Sequence, residues 1–391
     1  MESNLFNTEI SDAVLSDEHR MLRSETRKFV TNEVLPEARE RDEKQENMSA
    51  DLIEQMAEMG FFGILIDEQY DGLGLDLKAY AIIAEELARG WMSVGSIIAR
   101  GQSLAGATDA QKEEYLPKLA RGEMLKSIAI SEPDAGSDVA SMRLSAQKDG
   151  DEYVLNGQKM WATFAKGSDF ILTYAKTDPD AEPAHRGISA FIVEKPRGTF
   201  DREGLSGQPV NKIGYHGWKT WMVNFDDVRV SEDKLVGETE GEGFYQIMKF
   251  FEEGRVHTAA RAVGIARGAL EDSLSYATER EQFDSPISDF QAIRFKLADM
   301  ATKVEAARAL TLQVADAVDS GERADAEAAM AKLFASEIAE EVTSEGIQIH
   351  GGYGYTTEFD VERHWRDARL TTIFEGTSEI QRKIIADRLL P

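Results

Sequence analysis

Three segments in the second half of the chain, Phe244 to Arg280, Ile287 to Asp319 and Ala324 to His350, each run for more than 25 residues with small, Ala-rich faces and few breakers. Strands rarely reach such lengths, and single helices with weak apolar faces hold together only by packing on one another. With a shorter helix from Ser378 to Arg388 they predict a four-helix bundle over residues 239–391, with a turn at Glu322 to Asp325.

The rest of the chain divides into two other textures. Over residues 1–123 apolar residues recur at helical spacing: Leu22, Phe29 and Val30 predict a first helix that Pro36 helps to end. Leu52, Ile53, Met56 and Met59 predict a second, and Tyr80, Ile83, Ala84 and Leu87 form the inner face of a third, closed by the Gly90–Trp91 break. Over residues 124–238 the period shortens. Ser127–Ser131, Glu152–Asn156, Phe170–Tyr174, Ile188–Val193 and Trp221–Phe225 are short β-rich runs bounded by Gly, Asp and Pro, spaced as in an antiparallel all-β unit. The fold class is therefore α+β and multidomain, helical at both ends and β in the middle.

Charge and cysteine content narrow the function. With 71 acidic against 44 basic residues the net charge is −27, which repels phosphate backbones and anionic lipid, so nucleic acid and membrane insertion are excluded as partners. The acidic residues are scattered, as in the solvated shell of salt-adapted proteins, although an ordinary acidic bacterial enzyme accounts for the pattern almost as well. No cysteine is present, which excludes disulfides, thiolate metal sites and thiol nucleophiles. The start Met1–Glu9 lacks a basic region before an apolar core, no apolar run approaches 18 residues, and the chain is expected to be cytoplasmic. The six histidines form no metal-ligand pair at helical spacing, so no metal is expected. No Walker loop, Gly-x-Ser-x-Gly or strand-borne Gly-x-Gly-x-x-Gly occurs, so a nucleotide cofactor must be held in another way.

Three segments exceed what plain structure needs. Ser131-Glu-Pro-Asp-Ala-Gly-Ser-Asp138 follows an apolar strand, and its small residues and hydroxyls admit a ligand against the backbone, although a polar turn accounts for it equally. His350-Gly-Gly-Tyr-Gly-Tyr355 ends a long helix, where one glycine suffices for a left-handed stop and two exceed it. In Thr371-Thr-Ile-Phe-Glu-Gly-Thr-Ser-Glu-Ile-Gln381, Ser378 and Gln381 fit a capping box. Glu375 lies between apolar neighbours, where a carboxylate is costly to ionise and suited to proton transfer; a solvated acid beside a helix cap is the plainer alternative.

Together with Asn156-Gly-Gln-Lys-Met-Trp-Ala-Thr163, Gln348-Ile-His-Gly-Gly-Tyr-Gly354 and Phe374-Glu-Gly-Thr-Ser-Glu379, these segments resemble the acyl-CoA dehydrogenase family in order and spacing over nearly the whole chain. The resemblance implies an N-terminal helical domain, a middle β-barrel-like domain and a C-terminal four-helix bundle. It also implies homotetramers built as dimers of dimers, with FAD crossing a subunit boundary. Carried over, Ile130, Ser131, Trp161 and Thr163 would hold the flavin ring, with Thr377 and Glu379 also in contact. Arg280, Phe283, Gln291, Gln348, Gly351 and Gly352 would reach the FAD of a neighbouring subunit, and an Arg can neutralise a pyrophosphate bidentately. Ser137 would touch CoA, while Glu252, Arg255 and Gly376 would lie on the substrate side.

Glu375 is the expected base, removing the α-proton of a saturated acyl-CoA, with its own N–H and a flavin ribityl hydroxyl polarising the thioester carbonyl. The β-hydride goes to FAD, the product is a trans-2-enoyl-CoA, and electron-transfer flavoprotein takes the electrons. Members whose base comes from the first bundle helix carry it where this chain has Gly254, and Glu253 is turned away by about 100° on a helix. The alternatives are an acyl-CoA oxidase using oxygen and a flavin-binding homologue without catalysis. Three departures stand out: Asp134 adds charge near the cofactor path, Ser131 replaces the commoner Thr, and Ala162 is expected to enlarge space beside the flavin.

Overall fold

The structure, a computed structural model, describes residues 14–321 and 323–390. The expectations at Met1–Glu9 and Glu322 lie outside them. The first helix, α1 (Asp17–Phe29), is capped by Ser16, whose Oγ accepts the His19 N–H at 3.1 Å. It does not end at Pro36. A π-helical turn over Val30–Val34 carries the chain without a break into α2 (Leu35–Arg41), so Pro36 lies inside a continuous helical run, directly after the π turn. After α3 (Ala50–Glu58) comes α4 (Leu77–Gly90), capped by Asp76 and buried on almost every side. Short α5 (Met92–Ile97) and α6 (Asp109–Ala120), with a Thr108–Gln111 capping box, complete this part.

Seven strands follow: β1 (Lys126–Ala129), β2 (Ser145–Asp149), β3 (Glu152–Thr163), β4 (Phe170–Lys176), β5 (Ile188–Glu194), β6 (Leu205–Val210) and β7 (Thr220–Ser231). They form one curled sheet of order β1-β4-β2-β3-β7-β6, with β5 also on β4. The sheet is mixed, which corrects the antiparallel expectation. β1 lies parallel to β4 with Lys126 opposite Phe170, and Ser145 of β2 pairs in parallel with Lys176. The β2–β3 hairpin lies in the connection between β1 and β4, and that long crossover is what a parallel pair requires. Beyond β1, the Met160 N–H donates to the Ser131 carbonyl at 2.8 Å, drawing the first strand's exit onto β3.

Helix α7 (Gly243–Glu279) opens the bundle and runs into a small hairpin, β8 (Glu281–Gln282) with β9 (Ser285–Pro286). Helices α8 (Gln291–Asp319), α9 (Asp325–His350), α10 (Val361–Thr371) and α11 (Ser378–Leu389) complete it. The four expected helices are present, and α10 is an addition. Its buried face includes Arg363 and Asp367 beside Val361 and Ala368, so hydrophobic spacing does not expose it.

The N-terminal helices seat on α7 by close backbone approach. A Cβ on Gly264 would lie 2.2 Å from the Glu85 carbonyl oxygen, so only glycine fits there. A buried ion cluster occupies the same seam. Glu85 accepts from Arg267 at 2.6 Å and Arg308 at 3.0 Å, while Glu86 lies 2.7 Å from Arg267.

Candidate active site

A cavity of about 830 Å³ opens where the curled sheet, α7 and the α10–α11 turn converge. Ile130, Ser131, Trp161 and Thr163 border one side, and Ser137 lines it on the same loop. Trp161 is aimed there by backbone geometry. The β3–β7 register shifts between Lys159 and Ala162, and Trp161 has φ 64° and is 55% exposed. A bulge turns a side chain out of its normal alternation. Ala162, next in sequence, is fully buried in the sheet's apolar core and does not border the cavity, so it enlarges nothing beside a bound ring. Asp134 is exposed and outside the lining, whereas Asp138 lies in it.

The loop carrying Ile130 and Ser131 is anchored by Glu132, which the sequence singled out only as part of a motif. Its carboxylate accepts the Arg143 and Leu144 N–H groups at 2.7 and 2.9 Å and pairs with buried Lys159 at 2.9 Å. Burial lowers the Lys159 ammonium to about 8, with Glu132 partly offsetting it. Lys159 also donates to the Ile130 carbonyl at 2.8 Å.

Glu375 borders the cavity from the α10–α11 turn, at φ 53° and next to Gly376 at φ 87°. Two left-handed residues in succession are strained for a non-glycine residue and need holding. The hold comes from below. Gln381 Nε2 donates to the Glu375 and Gly376 carbonyls at 3.0 and 2.9 Å, and buried Lys332 donates to Gly376 at 2.7 Å. A side chain at 376 would collide with Gln381 Nε2 at 2.6 Å. The helix cap is therefore Thr377, whose Oγ1 accepts the Ile380 N–H at 3.3 Å, rather than the expected Ser378–Gln381 box. No backbone carbonyl among the described residues accepts the Glu375 N–H. Lys332 was not a sequence candidate, because one Lys within an Ala-rich helix carries no visible signal. Burial lowers it to about 8, with Glu375 opposing the shift.

Gly254 faces Glu375 directly: a Cβ there would lie 3.6 Å from Glu375 Oε2. Arg255 is buried against Phe251 and lines the cavity, as do Gly376 and Thr377, while Glu252 and Glu379 do not. Glu253 lines it too, so the one-residue step does not turn it away, and burial raises its carboxyl above the usual range.

A second, open cavity of about 490 Å³ lies at the far end of α7 and α9, lined by Arg280, Gly351 and Gly352. Arg280 rests over the Tyr353 ring at 5.6 Å, and nothing lies within 4 Å of a Cβ built on either glycine. Phe283, at the tip of the β8–β9 hairpin, is 91% exposed, and Gln291 and Gln348 are exposed without lining this cavity. Among the described residues no group of three or more His, Cys, Asp or Glu could hold a metal ion, and no helix is long and apolar enough to cross a membrane.

Three family descriptions match the chain in order: acyl-CoA dehydrogenase N-terminal domain over residues 16–123, middle domain over 127–228 and C-terminal domain over 241–390. The chain is 41% identical to a (2S)-methylsuccinyl-CoA dehydrogenase of Cereibacter sphaeroides, over 96% of its own length and 70% of the relative's. It is 40% identical to the CarC subunit of the caffeyl-CoA reductase-Etf complex of Acetobacterium woodii, over 96% and 99%. The fold superimposes on a glutaryl-CoA dehydrogenase from Mycobacterium smegmatis in complex with FADH2, with TM-score 0.90, 27% identity and coverage of 98% and 97%. From cavity to chain order, these observations agree, and the chain belongs to the acyl-CoA dehydrogenase family.

Proposed function

We propose that the protein is a cytoplasmic, FAD-dependent dehydrogenase that converts a saturated acyl-CoA into its trans-2-enoyl-CoA and passes electrons to an electron-transfer flavoprotein. The observation that carries this reading is the Glu375 turn. A carboxylate lies over the cavity on a strained backbone, held by Gln381 and Lys332, beside an N–H without a backbone acceptor.

The residues fit FAD. The wall built by Ile130, Ser131, Trp161 and Thr163 offers a ring face and hydroxyls, and the Ser378 hydroxyl at the start of α11 is buried without a partner. Arg280, Gly351 and Gly352 offer a cation and an open backbone for a cofactor held by a second copy of the chain. Phe283, Gln291, Gln348, Thr377 and Glu379 complete the proposed contacts. When bound, FAD supplies the acceptor for the β-hydride.

The protein's own part is positional. Ser137 and Arg255 hold the CoA thioester, and Gly376 leaves room beside the reacting carbon. The Glu375 N–H donates to the thioester carbonyl, stabilising charge that develops as the α-proton leaves. Glu375 takes that proton, and the double bond forms between α and β carbons. Mixing the anaerobic, flavin-loaded protein with a panel of acyl-CoA thioesters tests the reading. Bleaching of the flavin with formation of enoyl-CoA is expected, and reoxidation by electron-transfer flavoprotein should far outpace reoxidation by oxygen.

The assembly proposed is a homotetramer, a pair of dimers sharing FAD sites. Arg280→Ala should lose flavin and weaken the oligomer together, because a bound ligand stabilises the assembled state by mass action. Flavin content and light scattering of that variant check this, and an unchanged FAD affinity would mark Arg280 as surface charge.

The net charge of −27 supports a salt-adapted surface. Self-repulsion among scattered carboxylates falls as salt shortens the Debye length from roughly 14 Å near 0.05 M to about 3 Å at 1 M. The melting temperature should rise across that range, and a flat profile would mark an ordinary acidic enzyme.

A further inference from the structure

Arg100 stands at the inner side of the cavity, at the end of a 3₁₀ turn following α5, and the fold leaves it without a partner. Its Nε is buried with no hydrogen-bond partner, and no hydrogen bond or ion pair among the described residues involves its guanidinium. The neighbouring carbonyls of Gly101, Gln102 and Ser103 are already taken by the buried Lys126 ammonium. The indole of Trp218 lies 5.1 Å from the guanidinium carbon and holds it as a plate. Position is fixed from behind as well, because a Cβ on Gly101 would meet the Phe62 carbonyl at 2.1 Å.

The surroundings are rich in donors. Arg261 lies over the Phe374 ring at 4.8 Å, next to Glu375, with its other nitrogens on Ser96 and Thr258. Tyr80 and Tyr215 line the same side, and burial raises both phenols, keeping them protonated as donors. Glu253 and Glu375 are the nearby carboxylates, and neither forms an ion pair with Arg100 among the described residues. In a chain of net charge −27, the guanidinium groups of Arg100, Arg255 and Arg261 and two phenols facing one cavity stand out. A desolvated cation without an anionic partner is costly, and burial does lower Arg100 below the usual arginine range. Among the other basic residues of this lining, Arg366 pairs with Asp42, Arg369 with Glu340 and Lys383 with Asp387, while Arg255, its Nε also buried without a partner, is the one placed on the CoA thioester above.

Resting on the dehydrogenase reading above, we infer that Arg100 is a specificity-determining residue, receiving the distal carboxylate of a short dicarboxylic acid held as its CoA monothioester. A carboxylate matches the planar guanidinium bidentately and accepts from the phenols. A neutral alkyl end would leave the cation desolvated and unpaired, and sites built for a polar group reject the analogue lacking it strongly. The same anion chemistry is carried by the phosphates of CoA and FAD. Those sources would make Arg100 matter equally for every thioester, or for flavin retention.

The test uses the flavin-loaded enzyme and kcat/KM for methylsuccinyl-CoA and glutaryl-CoA against butyryl-CoA and isovaleryl-CoA. The parent should prefer the carboxylated pair. Arg100→Met should lose at least about 10²-fold on that pair while keeping its neutral activity and flavin content. Arg100→Lys should recover part of the loss, and it carries the comparison if the Met variant does not load flavin. Preference of the parent for neutral thioesters would overturn the assignment and leave the dehydrogenase reading intact. An equal loss on both pairs, or a loss of flavin in both variants, would reassign Arg100 to a phosphate and also overturn it. If no thioester of either kind reduced the flavin, the dehydrogenase reading itself would fall.

Discussion

Glu375→Gln should bind acyl-CoA and FAD as the parent does, yet reduce its flavin at least about 10²–10⁴ times more slowly. Gln is nearly isosteric, so the turn held by Gln381 and Lys332 should survive, because those two residues grip the backbone carbonyls and not the carboxylate. What is lost is the proton acceptor. Stopped-flow reduction under anaerobic conditions reads that step alone. A rate within tenfold of the parent would place the base elsewhere, and Glu253 would be next, since it lines the same cavity. Gly254 offers a complementary check. A Cβ there would stand 3.6 Å from Glu375 Oε2, so Gly254→Glu in the Glu375→Gln background should restore part of the rate.

Glu85→Ala should destabilise the fold by about 3–5 kcal/mol, the cost of leaving buried charges without their partner. Arg267 and Arg308 come from two different bundle helices to this one carboxylate, at 2.6 and 3.0 Å, with side-chain exposures of 2% each against 4% for Glu85. Removing it strands Arg308 at the seam between the N-terminal helices and the bundle and leaves Arg267 with only Glu86 and Glu271. Urea unfolding followed by fluorescence measures the loss, and a change below about 1 kcal/mol, as for surface pairs, would show the seam to be hydrated. The adjacent Glu86 adds a pH signature. Burial raises its carboxyl, but Arg267, Arg27 and Arg89 outweigh burial and hold it down at about 2. Its folded pKa lies below the ordinary 4.5, so its contribution is full above that value and is lost as pH falls toward 2.

The parts of the fold legible in the sequence were those whose physics is periodic. Breaker-free runs predict α7, α8 and α9 to within a few residues, because length and small faces leave few other folds. Strands flanked by Gly and Pro are visible for the same reason. β2 and β6 were missed: Ser145–Asp149 and Leu205–Val210 are mostly polar and exposed along one face. α10 was missed because its buried face holds charges. Asp367 accepts the Tyr215 N–H at 2.5 Å, and Arg363 pairs with Asp360 at 2.8 Å.

The candidate site divides along the same line. Motif residues such as Trp161, Glu375 and Gly376 could be named from order and spacing, but the reason for their geometry could not. The bulge that turns Trp161 outward depends on a register with β7, and the left-handed Glu375 depends on Lys332, 43 positions earlier in the sequence. Arg100 gave no sign at all. A lone Arg after a helix is ordinary until the fold shows that its neighbouring carbonyls are already used.

Dehydrogenation by this cavity is tested by an anaerobic titration of the flavin-loaded enzyme with a saturated acyl-CoA, following the flavin absorbance and the thioester product together. Bleaching is expected with matching formation of the trans-2-enoyl-CoA, one product per flavin reduced. An oxidised flavin that persists through saturating thioester, across carboxylated and neutral acyl chains alike, would contradict it.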